Sequence, residues 1–200
     1  MKIIIITGAS GSGKTFLSNK LSKSLTNSFV INTDSYYRDD FIIKVLSIFK
    51  YDIYDRIISI KKKEIKKTIA SVKNNDVNTI FYNYDFKHKK STQFKNGLIL
   101  KKNLSYLIIE GIFAHRLEIN YHETINILCE EKKKICLERR LIRDHRERGR
   151  KVKEINKKFS RSWELFYKNL TQYIHSNNVI SINAYDQHLY KRLINNIKGI

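Results

Sequence analysis

The stretch Gly8–Thr15, GASGSGKT, constrains this chain more than any other. It follows an apolar run, Ile3 to Ile6, and precedes Phe16 to Leu25, which can be read as a helix. Between a strand and a helix, Gly-x-x-x-x-Gly-Lys-Thr is a phosphate-binding loop. Its glycines let the backbone turn successive N–H groups inward on one anion. The helix that begins near Lys14 adds the positive end of its dipole. Lys14 brings a mobile point charge for the outer phosphates, and the Thr15 hydroxyl can ligand Mg²⁺. The expected ATP-binding set is Gly8, Ser10, Gly11, Ser12, Gly13, Lys14 and Thr15. A Gly/Ser-rich turn that matches by accident is the alternative, and the strand–loop–helix context argues against it.

The rest of the chain alternates strand-like and helix-like segments. Ile3–Thr7 reads as a central parallel strand, apolar on both faces. Ser28–Asn32 reads as a second strand that delivers Thr33, Asp34, Ser35, Tyr36 and Tyr37 at its C-terminal end, where open α/β sheets build their sites. Asp39–Phe49 is a weaker helical segment, and Tyr54–Val72 a longer helix with a Lys-rich face. Asn78–Asp85 alternates as a strand does, with Ser91–Leu100 as its partner in a small hairpin excursion. Further strands are expected at Leu104–Ile109, Thr124–Cys129 and Asn178–Asn183. Helices are expected at Glu131–Arg148, at Val152–Ile174 and from about Tyr185. This order predicts an α/β fold with a doubly wound parallel sheet, in one domain over residues 1–200.

Composition narrows the partners. The formal charge of +20 would ordinarily point to a polyanion. The lysines are spread over many segments, such as KKKEIKK and EEKKKIC, in a chain with no proline and abundant Ile, Asn and Tyr. Biased residue usage and solvated helix faces account for much of the charge, so nucleic acid is not expected as the main partner. Cys129 and Cys136 are too few for a disulfide framework and are expected as free, buried thiols. No stretch has the apolar length needed to span a bilayer, and the N-terminal apolar run leads straight into the loop, as a buried strand does. A cytoplasmic location without a membrane partner is expected.

Other segments choose among phosphate-loop proteins. The chain has neither the DxxG element nor the NKxD guanine reader of a GTPase, and no LSGGQ-like element of a transporter ATPase. What remains is an acid at a strand end, aromatics near it and an arginine-rich helix, a set that suits a small-molecule kinase. In sequence order, GASGSGKT at Gly8–Thr15, TDSYYRD at Thr33–Asp39, IIEGIFA at Ile108–Ala114 and LERRLIRDHRERGR at Leu137–Arg150 resemble the uridine/cytidine kinase family. That family lies in the wider group with phosphoribulokinase and pantothenate kinase. YDF at Tyr84–Phe86 and YD at Tyr51–Asp52 are weaker matches.

The residues and the resemblance together give a provisional site. Asp34 can accept a proton, and the resemblance makes it the base facing a sugar 5′-hydroxyl, with Tyr37 beside it; the alternative is a turn-forming Asp that caps the next helix. Glu110, an acid at the end of a buried strand, suits Mg²⁺ together with Thr15. Arg140 and Arg143 are three apart on one helical face, and Arg150 lies past Gly149. The resemblance sets Arg140 at the ribose, Arg143 at the phosphates and Arg150 at the bound nucleoside, on a lid over residues 137–160. Arg139, Arg146 and Arg148 are expected at the surface or near the phosphates. The alternative is a solvated helix paired through Glu138, Asp144 and Glu147. Asp52 matches the acid that holds ribose hydroxyls, Tyr84 and Phe86 the aromatics around a pyrimidine, and His88 the base-reading histidine.

The resemblance implies an ATP- and Mg²⁺-dependent kinase for uridine or cytidine, with assembly into oligomers common in the family and the hairpin around Phe81–Leu100 a candidate contact. The departures fall on the acceptor side. Ile53 and Tyr54 replace His-Pro after Asp52, His88 lies four and not five positions after Tyr84, and Lys158 stands where the family often has Gln. Another hydroxylated acceptor, such as nicotinamide riboside, is the nearest alternative. A non-catalytic nucleotide- or nucleic-acid-binding protein is a further one. ATP and GTP are not distinguished as donors.

Overall fold

The four consecutive isoleucines of the first strand divide between two cores. In the computed structural model, which describes residues 1–95, 104–119 and 124–199, β1 (Lys2–Thr7) is the middle strand of a five-stranded sheet. Ile3 and Ile5 point to one face and Ile4 and Ile6 to the other, all at most 3% exposed. Each is worth about 1.5–3 kcal/mol of burial, which is why this run forms the centre of the sheet and not an edge.

β1 pairs in parallel with β5 (Tyr106–Glu110) on one side and β6 (Thr124–Cys129) on the other. Outside these lie β2 (Ser28–Asn32) and β7 (Val179–Ile182), giving the order β2-β5-β1-β6-β7. The chain leaves β1 toward β2, but leaves β5 across β1 toward β6. The connections therefore diverge between β1 and β5, a switch point at which open α/β sheets bind ligands. The register brings Asn32, Glu110 and Ile6 level, so the segments following three strands converge on one edge.

Helices cover both faces. α1 (Lys14–Ser24) and α6 (Gln187–Lys198) pack Leu17, Leu21, Leu193 and Ile197 onto Ile4 and Ile6. α3 (Lys62–Lys73) packs Ile65, Ile69 and Val72 with Ile3 and Ile5. α5 (Val152–Ser176) sets Phe166 and Leu170 against Ala9 and Leu128. α4 (Lys133–Arg148) ends at Gly149, whose φ of 62° is left-handed. α2 (Phe41–Phe49) starts where the Asp40 carboxylate accepts from the Ile43 N–H. Cys129 and Cys136 are free and buried.

One expectation changes. The long helix over Tyr54–Val72 is instead two single 3-10 turns, Ile53–Asp55 and Ile57–Ser59, followed by α3. Buried Ser59 donates through its hydroxyl to the Arg56 carbonyl, a local bond that competes with helix continuation, and Tyr37 and Ile60 form a β-bridge there. The hairpin is β3 (Ile80–Asp85) against β4 (Lys90–Lys95). Its second strand was expected to reach Leu100, but 96–100 lie outside the described residues. Among the described residues no helix is long and apolar enough to cross a membrane.

Candidate active site

The phosphate loop fills the bend between β1 and α1. Gly13 caps α1 with φ 98°, and a Cβ there would stand 2.9 Å from the Ala184 methyl, so this position needs glycine for both conformation and space. Lys14 is 8% exposed and its ammonium donates to the Ala9 carbonyl at 2.9 Å, within its own loop. Gly8 and Ser12 are buried, Gly8 against Cys129. Ser10, Gly11, Gly13, Lys14 and Thr15 line a cavity of about 310 Å³.

The carboxylates come from the neighbouring strand ends. Glu110 is 2% exposed and accepts from the Thr15 hydroxyl at 3.2 Å. Burial pushes its carboxyl up to about 7, against the pull of Lys14 and with a further push from Asp34. Asp34 sits in the 3-10 turn Thr33–Tyr36, which Asn32 caps by accepting from the Asp34 N–H at 2.8 Å. Its Oδ1 is buried without a hydrogen-bond partner. Gly111 lets β5 end against this turn: at φ 151°, a Cβ would lie 1.8 Å from the Thr33 hydroxyl oxygen. A hydroxyl, a buried carboxylate and an unpartnered carboxylate oxygen make an all-oxygen donor set, which fits Mg²⁺. Among the described residues no cluster of three or more His, Cys, Asp or Glu offers an alternative metal site.

α4 lays its arginines over the loop. Arg143 donates to the Ser10 hydroxyl at 3.2 Å, and Arg139 to the Gly11 carbonyl at 3.2 Å. Asp144, fully buried, is the anchor of this set. It accepts from Arg143 at 2.8 Å and from Arg150 at 2.8 Å, and forms ion pairs with Arg140 and Arg148 at 3.5 Å. One carboxylate thus gathers four guanidiniums at the cavity edge, and they hold it below the usual carboxylate range despite its burial. Beside the loop, Phe16 and Tyr185 stack at 4.7 Å, and the Arg139 guanidinium lies 4.2 Å from the Tyr185 ring centroid.

The opposite wall is aromatic. Tyr37 is 8% exposed and touches Tyr84 at 5.4 Å, Phe86 at 5.6 Å and Tyr54 at 6.1 Å between ring centroids. Arg148 covers Phe86 at 3.9 Å. Arg140, buried, donates to the Ser162 hydroxyl at 2.7 Å. Asp55 joins this wall, and loss of water pushes its carboxyl up to about 6 while Arg140 and Lys158 pull it down.

Several sequence expectations meet in this cavity: Lys14, Thr15, Asp34, Tyr37, Tyr84, Phe86, Glu110, Arg140, Arg143 and Arg150 all line it. Asp52 does not. Its carboxylate is buried under Arg56 and Arg161, which bind it at 2.8 and 3.2 Å, and Asp55 faces the cavity in its place. What separates the two acids is pairing: Arg56 and Arg161 hold Asp52 away from the cavity, and the Arg161 contact spans the chain. His88 also falls outside the cavity; it is exposed on the hairpin turn and pairs with Asp85. Arg148, expected at the surface or near the phosphates, lines the cavity, 13% exposed and over Phe86. Asp144 was read from the sequence only as one of the acids that pair a solvated helix. No sequence signal marked Phe16 with Tyr185, which lie far apart in the chain.

The phosphoribulokinase/uridine kinase family model matches residues 3–187. The chain belongs to this family. Two uridine kinases, from two strains of Ureaplasma parvum serovar 3, are each 27% identical over 204 aligned positions, covering 98% of this chain and 96% of theirs. Among solved structures, the YGR205w protein is similar with TM-score 0.63 at 14% identity, over 92% of this chain and 86% of that one. A deoxyadenosine kinase from M. mycoides, solved with bound dATP, is similar with TM-score 0.51 at 15% identity, over 98% and 99% of the two chains. These likenesses carry the fold. Family membership makes the chain an ATP-dependent P-loop kinase.

Proposed function

We propose that this kinase transfers the γ-phosphoryl group of ATP to the 5′-hydroxyl of uridine or cytidine, a step of pyrimidine salvage in the cytoplasm. One observation carries the reading: the unpartnered Asp34 carboxylate lies between the phosphate loop and the aromatic wall of Tyr37, Tyr84 and Phe86, in one cavity. The flat aromatic wall suits a planar base, and Asp55 suits a ribose hydroxyl. The names of the near full-length Ureaplasma relatives point the same way.

In this reading Asp34 accepts the proton of the 5′-hydroxyl as its oxygen bonds to the γ-phosphorus, and the bond from that phosphorus to the bridging oxygen breaks to release ADP. The loop N–H groups and Lys14 hold the donor phosphates. Arg143, anchored by Asp144, meets charge on the transferring group. Thr15 and Glu110 would hold Mg²⁺, which supplies charge neutralisation across the donor phosphates. Phe16 and Tyr185 offer the donor base a stacking surface beside the loop. Residues 137–160 act as a lid that closes over the donor and excludes water, limiting hydrolysis.

A coupled assay tests this with Mg²⁺ and ATP against uridine, cytidine and nicotinamide riboside, with ATP alone as the blank. Pyrimidine-dependent turnover is expected. Turnover with nicotinamide riboside alone would move the reading to the altered acceptor residues, Lys158 among them, which lines the cavity.

A further inference from the structure

The TDSYYRD stretch gives Asp34 and Tyr37 to the cavity and ends on an acid that does not line it, Asp39. Asp39 faces the hairpin instead. Its Oδ2 accepts from the backbone N–H of Ser91 at 2.9 Å. Its Oδ1 accepts from the Lys61 ammonium at 3.2 Å. Lys61 closes the triangle by donating to the Ser91 hydroxyl at 2.7 Å. Burial alone would raise the Asp39 carboxyl, yet the bonds from Ser91 and Lys61 hold it below its ordinary range.

Three segments meet at this triangle, and two of them carry the acceptor side of the cavity. Asp39 continues the segment that bears Asp34. Ser91 is the cross-strand partner of Tyr84 in the hairpin, and Tyr84 and Phe86 build the aromatic wall with Tyr37. Lys61 belongs to the stretch that pairs with the Asp34 segment. There Tyr37 bridges Ile60, the Lys61 N–H donates to the Tyr36 carbonyl at 2.8 Å, and the Arg38 N–H donates to the Ser59 carbonyl at 2.7 Å.

The hairpin needs such a tie. It is a two-stranded sheet that does not join the five-stranded one, and a lone pair of strands is marginal in water. Bonds from α3 reach β3 at Ile80, whose carbonyl accepts from the Thr68 hydroxyl at 2.9 Å, and at Tyr82, whose hydroxyl donates to Glu64 at 3.3 Å. The wall lies farther along, at Tyr84 and Phe86 beside the turn, where a swing of the hairpin about those bonds displaces it most. Asp39 grips the hairpin at that end.

We propose that Asp39 is a positioning residue for the acceptor: with Lys61 and Ser91 it fixes the span between the Asp34 carboxylate and the aromatic wall. This rests on the proposed function in taking that wall as the seat of the acceptor. An acceptor held at the wall by its ring presents its hydroxyl to Asp34 only when the span is right. A misplacement of about 1 Å at a reacting group can cost about a hundredfold in rate.

Two measurements on the full chain test this. Hydrogen exchange reads the tie without any substrate: in Asp39→Ala the β4 amides around Ser91 should exchange about tenfold faster, while those of β1 keep their wild-type rates. Steady-state kinetics reads the role, using whichever of uridine, cytidine and nicotinamide riboside the wild type turns over fastest. Asp39→Ala should raise the acceptor KM and lower kcat by about tenfold each, with KM for ATP and hydrolysis of ATP alone within about twofold of wild type. Asp39→Asn keeps an oxygen for the Ser91 N–H and should fall between the two. Lys61→Met should add nothing to the acceptor KM once Asp39→Ala is present, because both act through one triangle. If Asp39→Ala melts early, Lys61→Met alone carries the same test, since its stem still packs on Tyr82.

Unchanged exchange of β4 overturns the proposal. So does an acceptor KM that stays at the wild-type value, or one that rises only together with KM for ATP, the mark of a general loss of structure. Turnover with nicotinamide riboside alone sinks the pyrimidine acceptor, while the same shift in that acceptor's KM supports the role of Asp39. With no turnover of any of the three, the proposed function falls and this role falls with it, whatever the exchange shows.

Discussion

The cavity has two sides built on different principles. The phosphate side is one contiguous loop, held by backbone geometry between β1 and α1, with Lys14 and Thr15 fixed by their place in it. The other side is assembled from side chains of Tyr37, Tyr54, Asp55, Tyr84, Phe86 and Arg148, which reach the cavity from four separate segments. A contiguous loop survives changes elsewhere in the chain, because its function depends on local conformation. An assembled wall can exchange one member for a neighbour, as Asp55 stands where Asp52 was expected. In the proposed function the first side serves the phosphate donor and the second the acceptor.

The sharpest way to break this contrast is on the phosphate side. Lys14→Ala removes the mobile cation from the loop and should lower kcat/KM by about a thousandfold or more, with ATP affinity and turnover failing together. Normal activity in steady-state assays would sink the phosphate-loop assignment. Asp34→Asn should lower kcat by at least about a hundredfold while ATP still binds, since it removes the base and leaves the loop intact. A turnover unchanged from wild type would remove Asp34 from the mechanism.

The same contrast explains what could be read from the sequence. β1, the loop, β2 and β6 were legible almost to the residue, because four isoleucines, three glycines and short apolar runs encode them locally. Asp34 and Glu110 were legible because they end such runs. Asp52 against Asp55 was not, because the pairing of Asp52 with Arg56 and with Arg161, 109 positions away, decides which acid faces inward. The surroundings of Arg148 were legible only in part. Asp144, four positions before it on α4, is a local partner, but only tertiary structure brings Phe86 of the hairpin to it.

Exchanging the two acids for amides sharpens the comparison within the acceptor side. Asp55→Asn should raise the acceptor KM about tenfold through loss of a charged hydrogen-bond acceptor, with KM for ATP nearly unchanged. Asp52→Asn should leave both KM values within about twofold and instead lower stability by about 1–2 kcal/mol, because Arg56 and Arg161 lose their partner. If Asp52→Asn raised the acceptor KM and Asp55→Asn did not, the sequence expectation would stand and the placement of Asp55 would not.

The two acids also make opposite demands on pH. Asp55 is raised from 3.8 to about 6 by burial. An acid whose folded pKa is raised is favoured neutral by the fold, so its contribution is fully present below about 3.8 and is lost as pH rises through about 6. Asp52 is lowered, chiefly by the hydrogen bond from Arg56. Its contribution is present above the unfolded value and is lost as pH falls through the folded one. Asp55→Asn should therefore gain in melting temperature relative to wild type between pH 4 and pH 7, by about 2–3 kcal/mol in free energy at most. Asp52→Asn should instead lose most near pH 7 and converge on wild type in acid. For acceptor binding the ionised form of Asp55 is the useful one, so wild-type acceptor KM should climb as pH falls below about 6, a climb that Asp55→Asn abolishes. Melting curves at four pH values separate these cases without any substrate. Parallel slopes for the two variants would mean that the acids share one environment, and the division of the acceptor wall into a binding acid and a bracing acid would fail.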